Sequence, residues 1–154
     1  MTEARQREEL SREDCLRLLG EAQVGRVVYT YRALPAVRPV SHLVEGERII
    51  IRAGLGSAIS PGPDLDAGTV VAYEADLIDA VELTGWSVVV VGRAGTVTGR
   101  AELDRYRRAL RPWGAGEADD IIAIRADVVT GFRLLPRAGS PAAPGTRPAH
   151  DRID

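Results

Sequence analysis

Two arginines stand inside apolar, strand-like sequence: Arg38 precedes Pro39-Val40, and Arg52 follows Ile49-Ile50-Ile51. A guanidinium there needs a partner, and an anionic ligand, a protein carboxylate or solvent at a barrel end would each serve. Arg52 leads into Gly54-Leu55-Gly56-Ser57. The bare backbone of such a loop can approach a phosphate while the serine donates, or the loop simply turns the chain. It has neither the lysine and strand-to-helix setting of a triphosphate loop nor the full dinucleotide fingerprint. Gly85-Trp86-Ser87 sets a large ring at a strand end, where it either packs over a planar ligand or seals the core. Trp113, between Pro112 and Gly114, invites the same two readings.

Other chemistries find little support. All 20 basic residues are arginines, so no Schiff-base lysine exists. His42, His150 and the single Cys15 lie too far apart in sequence for metal-ligand spacing. Ser41 and His42 are strand neighbours that point to opposite faces, which argues against a nucleophile and base pair. His42 reads instead as a partly buried strand residue. A formal net charge of −2 gives no positive field for collecting nucleic acid. The longest apolar run, Val88 to Val91, falls far short of the roughly 20 residues of a membrane helix. One cysteine and no charged-then-apolar leader make the cytoplasm the expected compartment.

The elements that must position these residues follow from periodicity. Residues 1–9 are polar and read as a flexible arm, 10–135 as one domain, and 136–154, rich in Pro, Ala, Gly and Arg, as a disordered tail. Ser11 and Asp14 resemble a capping box, and a helix is expected from Arg12 to Ala22 with Cys15 in its apolar stripe. Val24 to Tyr31, Ala36 to Val44 and Arg48 to Ala53 read as an antiparallel meander, turned at Ala33-Leu34-Pro35 and Glu45-Gly46-Glu47. Residues 54–68 form a loop with at most a brief helical turn, Thr69 to Glu74 a fourth strand, and 75–85 a connection with solvated Asp76 and Asp79. Trp86 to Val97 is the longest strand. Its run Val88 to Val91 is apolar on both faces, so a second subunit is the expected cover for its outer side. Ala101 to Leu110 reads as a helix whose arginines face solvent. Ile121 to Arg125 and Val128 to Leu135 make a sixth strand, interrupted by a bulge or corner at Ala126-Asp127. Six strands with short flanking helices predict a mainly β fold, a closed or nearly closed barrel.

The order of Leu10-Ser11, Val24-Gly25-Arg26-Val27, Pro35 through Pro39-Val40, Arg52…Gly56-Ser57, Gly85-Trp86-Ser87-Val88, Gly92-Arg93-Ala94, Arg111-Pro112-Trp113 and Val129-Thr130-Gly131 resembles the pyridoxamine 5′-phosphate oxidase-like, flavin-binding split-barrel family, especially its small actinobacterial members. The resemblance spans about residues 10 to 135. It implies a six-stranded antiparallel split barrel, a homodimer with two equivalent sites, and FMN at the interface. By position, Arg38, Pro39, Val40 and Ser41 with Ile51, Arg52 and Ala53 would border the flavin ring and ribityl chain. Arg52 and Ser57 would approach the phosphate, while Trp86, Ser87 and Trp113 would come from the partner. Many relatives follow the glycine-serine pair with a basic residue, whereas this chain has Ala58. The resemblance therefore implies hydride transfer between FMN and a small-molecule substrate, or a deazaflavin coenzyme in its place, or noncatalytic binding of a flavin or haem.

Overall fold

The computed structural model describes residues 6–112 and 119–136. Trp113, His150 and, apart from Pro136, the tail expected over 136–154 lie outside the described residues.

Helix α1 (Arg12–Glu21) begins where its cap requires, the Ser11 hydroxyl accepting from the Asp14 N–H at 3.1 Å. Cys15, Leu18 and Leu19 are buried beneath it. The meander follows as β2 (Val24–Tyr31), β3 (Leu34–Glu45) and β4 (Arg48–Ala53), each antiparallel to the next. The first turn is tighter than the sequence suggests. Tyr31 pairs with Leu34, so Arg32-Ala33 alone reverses the chain, both residues at positive φ (51° and 61°). Strand β5 (Thr69–Ile78) continues past Glu74 because Ala75 still packs inside and Asp76 still pairs with Ser87. Asp79 is not merely solvated: its carboxylate accepts from the Val81 and Glu82 N–H groups and shapes the turn into β6 (Gly85–Thr96). Helix α2 (Arg100–Ala109) precedes the end of the sheet.

The expected sixth strand is two strands, β7 (Asp120–Arg125) and β8 (Val128–Leu134). Strand β6 is long enough to serve both, pairing β8 through residues 85–91 and β7 through residues 94–96. Where the chain crosses from one partner to the other, the Arg125 carbonyl lies so close to Gly92 that a Cβ could not fit between them. Strands β2, β3, β4, β7, β6 and β5 thereby close a six-stranded antiparallel barrel. β8 leaves the barrel and carries β1 (Arg7–Glu9) on its far edge, so regular structure begins inside the segment expected to be an arm.

Alternation along the strands fills the barrel with Val27, Val40, Ile49, Ile51, Val88 and Ile124. β4 and β7 are apolar on their other face as well, where Ile50 and Ile121 pack under Tyr106 and Leu110 at α2. Among the described residues no helix is long and apolar enough to cross a membrane, and no cluster of metal-ligating side chains occurs.

Candidate functional site

The barrel wall sorts the candidate residues by face. Val40, Ile51 and Ala53 point inward and are buried, leaving Pro39, Ser41 and Arg52 on the outer surface of β3 and β4. Arg38 sits on the inward face near a barrel end, where Nη1 donates to the Gly54 carbonyl at 2.7 Å and braces the glycine loop. Arg52 reaches away from that loop. Its Nε donates to Asp119 at 2.7 Å and its Nη1 to the Leu110 and Arg107 carbonyls at 3.0 and 3.3 Å, closing the C-terminal end of α2. The protein carboxylate, one of the partners that pattern alone allowed, is thus present. Ser57 is exposed on a single 3-10 turn, Gly56–Ala58, entered through Gly56 at φ 55°.

Trp86 points into the barrel with 9% of its surface exposed, packed in the main core. Ser87, the next residue, faces out. The structure thus separates the tryptophan from the serine beside it.

Two surface cavities collect the outward groups. One, a groove of about 630 Å³, runs between the C-terminal ends of α1 and α2 and is lined by Gln23, Ser41, Leu43, Leu110 and Arg111. The other, about 540 Å³, lies over β6, β8 and β1 and holds Ser87, Val89, Thr130 and Phe132 with Arg7 at its edge. Arg7 stacks its guanidinium 4.7 Å from the centre of the Phe132 ring. Ser41 and Ser87 therefore belong to different cavities on one chain. Among the described residues no buried side-chain nitrogen or oxygen lacks a hydrogen bond, so a ligand would be met by these surface groups.

Alongside the cavities, four residues along β3 and β6 from Ser41 and Ser87, runs an apolar band. Val37, Val28, Ala72, Val91 and Val128 stand side by side across β3, β2, β5, β6 and β8, one from each strand, on the outer face. Val37 and Val128 are more than half exposed, at 62% and 55%. One row along, Arg26 reaches Glu74 at 3.0 Å and Asp76 at 3.6 Å. Burial, then the neighbouring Asp76, pushes the Glu74 carboxyl up to about 7.

His42 borders the groove beside Ser41, but both nitrogens of its ring are engaged inward. It is 5% exposed; its Nε2–H donates to the Leu19 carbonyl at 2.7 Å, leaving Nδ1 to accept from the Tyr73 hydroxyl. Burial holds its pKa below the usual imidazole value. Gly25 makes room for that Tyr73 hydroxyl, since a Cβ there would collide with it.

Sequence reasoning missed Gln23, Arg111 and Thr130 as cavity residues and the Arg26, Glu74 and Asp76 cluster. The sequence reads Arg105, Arg107 and Arg108 of the helix only as solvated, and Arg111 only as part of the Arg111-Pro112-Trp113 resemblance.

The fold and its outward walls define a split-barrel protein whose polar cavity residues are presented on the outside of the barrel. The model of the pyridoxamine 5′-phosphate oxidase family matches residues 11–139, and the chain belongs to that family. It is 45% identical over 140 residues to an uncharacterized protein of Mycobacterium tuberculosis, covering 90% of this chain and 92% of that one. The solved FAD-binding protein of Mycobacterium smegmatis is 30% identical, with a TM-score of 0.61, and the match covers 82% of this chain and 96% of that one. A second M. smegmatis structure, of a protein that binds FAD and haem, is 16% identical with a TM-score of 0.57, covering 96% and 94% of the two chains, and shares the fold alone.

Proposed function

We propose that this protein is a homodimeric, flavin-binding oxidoreductase that holds FMN between its two subunits and exchanges a hydride with a small-molecule substrate. The observation that carries the reading is the apolar band that runs beside two half-sites. A second copy seated on Val28, Ala72 and Val91 buries the valines and brings the Ser87 wall of one subunit toward the Ser41 wall of the other. The residues present suit a planar, polar-edged ring: Ser41 stands beside Leu43 with Gln23 and Arg111 in one cavity, and Ser87 and Thr130 beside Val89 and Phe132 with Arg7 and Glu9 in the other. A bound flavin supplies the hydride chemistry, and the protein's task is to bind, orient and exclude water. Ser87 is available for this and Trp86 is not, because the indole seals the barrel.

The M. smegmatis relative that binds FAD supports a flavin; FAD carries the same ring as FMN on a longer anionic tail. Ala58 leaves the glycine loop without a basic side chain, and a deazaflavin coenzyme at the same wall is the second reading. Haem has no ligand in His42, whose two ring nitrogens are both engaged inside the barrel. A lone buried cysteine fits a cytoplasmic protein.

The test is a visible absorbance spectrum of the purified protein and titrations with FMN, FAD and a deazaflavin coenzyme, alongside sedimentation analysis of the oligomeric state. Saturable FMN binding by a dimer, lost together with dimerisation in Val91→Arg, is the expected result. A monomer, or a protein that binds none of the three, would overturn it.

A further inference from the structure

We propose that the arginine-rich end of α2, with Arg111 as the contacting side chain, holds the phosphate end of the cofactor in the groove beside Ser41, in place of the glycine loop. The inference rests on the flavin reading above and assigns that site its anion anchor.

The usual candidates are otherwise engaged. Arg38 is turned inward and bonded to the Gly54 carbonyl. Arg52 is committed to Asp119 and to the last carbonyls of α2. Position 58, after the loop serine, is alanine. Ser57 can offer a hydroxyl there but no charge.

The groove between the helix ends has the opposite character. Arg111 lines it together with Ser41, and no carboxylate does so among the described residues. The other titratable group in its lining is His42, which burial keeps neutral. Behind Arg111, the last turn of α2 carries Arg107 and Arg108, and the Arg52 guanidinium lies 3.0 Å from the Leu110 carbonyl at the groove wall. With Arg52 neutralised by Asp119, three guanidiniums, those of Arg107, Arg108 and Arg111, stand at this helix end in a chain whose net charge is −2. They offset the negative end of the helix dipole and favour an anion at the groove. Arg52 spends its donors on the helix itself, while Arg111 stands exposed on the groove rim and can present a two-pronged donor to a phosphate. Ser41 shares the groove, so a ring lying against β3 would have its tail directed at α2 rather than at Ser57.

The experiment compares FMN with riboflavin, which lacks the phosphate, by isothermal titration against wild type, Arg111→Gln and Ser57→Ala. Wild type should prefer FMN over riboflavin by about 10–100-fold, the range of one charge-assisted contact. Arg111→Gln should lose most of that preference while binding riboflavin as before, and Ser57→Ala should keep it. An unchanged FMN-to-riboflavin ratio in Arg111→Gln, or a ratio lost in Ser57→Ala instead, overturns the anchor and leaves the flavin reading standing. Failure of wild type to bind either compound removes both. Arg111 is exposed, so a circular dichroism melt equal to wild type will show that the variant is folded.

Discussion

Arg52 and Asp119 meet at 2.7 Å, both four-fifths buried, and this pair ties β4 to the start of β7 while the same guanidinium closes α2. An arginine that the family resemblance sets beside a cofactor phosphate is therefore a structural clasp. Removing it would strand the Asp119 carboxylate and the Leu110 carbonyl in a poorly solvated setting, at a cost of about 1.5–3 kcal/mol. Arg52→Ala should lower the melting temperature by about 3–10 °C without added flavin, as read by thermal denaturation. A variant that melts with the wild type would show the clasp to be energetically idle.

Gly92 is expected to tolerate nothing larger. A methyl group at that position meets the Arg125 carbonyl, which is backbone fixed by the β7-to-β8 corner and by the Ala126 N–H bond to Glu47. Relief would require moving the corner and breaking the ladder on one side of β6. Gly92→Ala should cost more than about 3 kcal/mol, in the range of the most damaging single substitutions, and yield little soluble protein. Urea denaturation of whatever folds, or recovery at wild-type yield, decides the matter.

The same corner shows how far the sequence could be read. Periodicity located the strands of the barrel to within a few residues, because Val24–Tyr31 and Gly85–Thr96 each bury one face and Arg48–Ala53 is a short apolar run that buries both. What periodicity could not reveal was which partner each half of β6 takes, since pairing is a long-range choice and Ala126-Asp127 carries no turn signal as clear as glycine or proline. Trp86 and Ser87 illustrate the same limit at the site. Adjacent residues in a strand always face apart, but only the closed barrel says which of the two faces inward. The glycine loop was legible as a turn, whereas the groove at Arg111 arises from two helix ends far apart in sequence and left no local mark.

The β2–β3 turn should be improvable. Arg32 and Ala33 both occupy left-handed backbone, which costs residues with a Cβ roughly 1–2 kcal/mol each, and glycine or asparagine much less. Replacing Arg32-Ala33 by Asn-Gly removes most of that penalty, while the glycine returns part of it by loosening the unfolded chain. The double substitution should stabilise the protein by about 0.5–1.5 kcal/mol in urea unfolding, with no change in flavin affinity because the turn lies on neither cavity wall. A destabilised product would mean that the Arg32 guanidinium over the Tyr31 ring, 5.0 Å from its centre, outweighs the backbone strain.

His42 should make the fold acid-sensitive in a defined window. The groups facing its ring are the Leu19 carbonyl on Nε2 and the Tyr73 hydroxyl on Nδ1, and burial holds its pKa below 6.5 in the folded state. With the folded pKa depressed, the stabilisation is fully present above the unfolded value. It is lost as pH falls below about 6.5, because the unfolded imidazole takes up a proton that the folded one resists. His42→Gln removes this linkage along with two hydrogen bonds, so the variant should be less stable than wild type by about 1–3 kcal/mol at pH 8. The gap should narrow steadily as pH falls from 6.5 toward 5, since only wild type carries the penalty. Subtracting the two unfolding curves cancels the titration of the surface carboxylates common to both. A gap that stays constant across that range would mean that the imidazole titrates in the folded protein as it does in water, and that the barrel opens to solvent at His42.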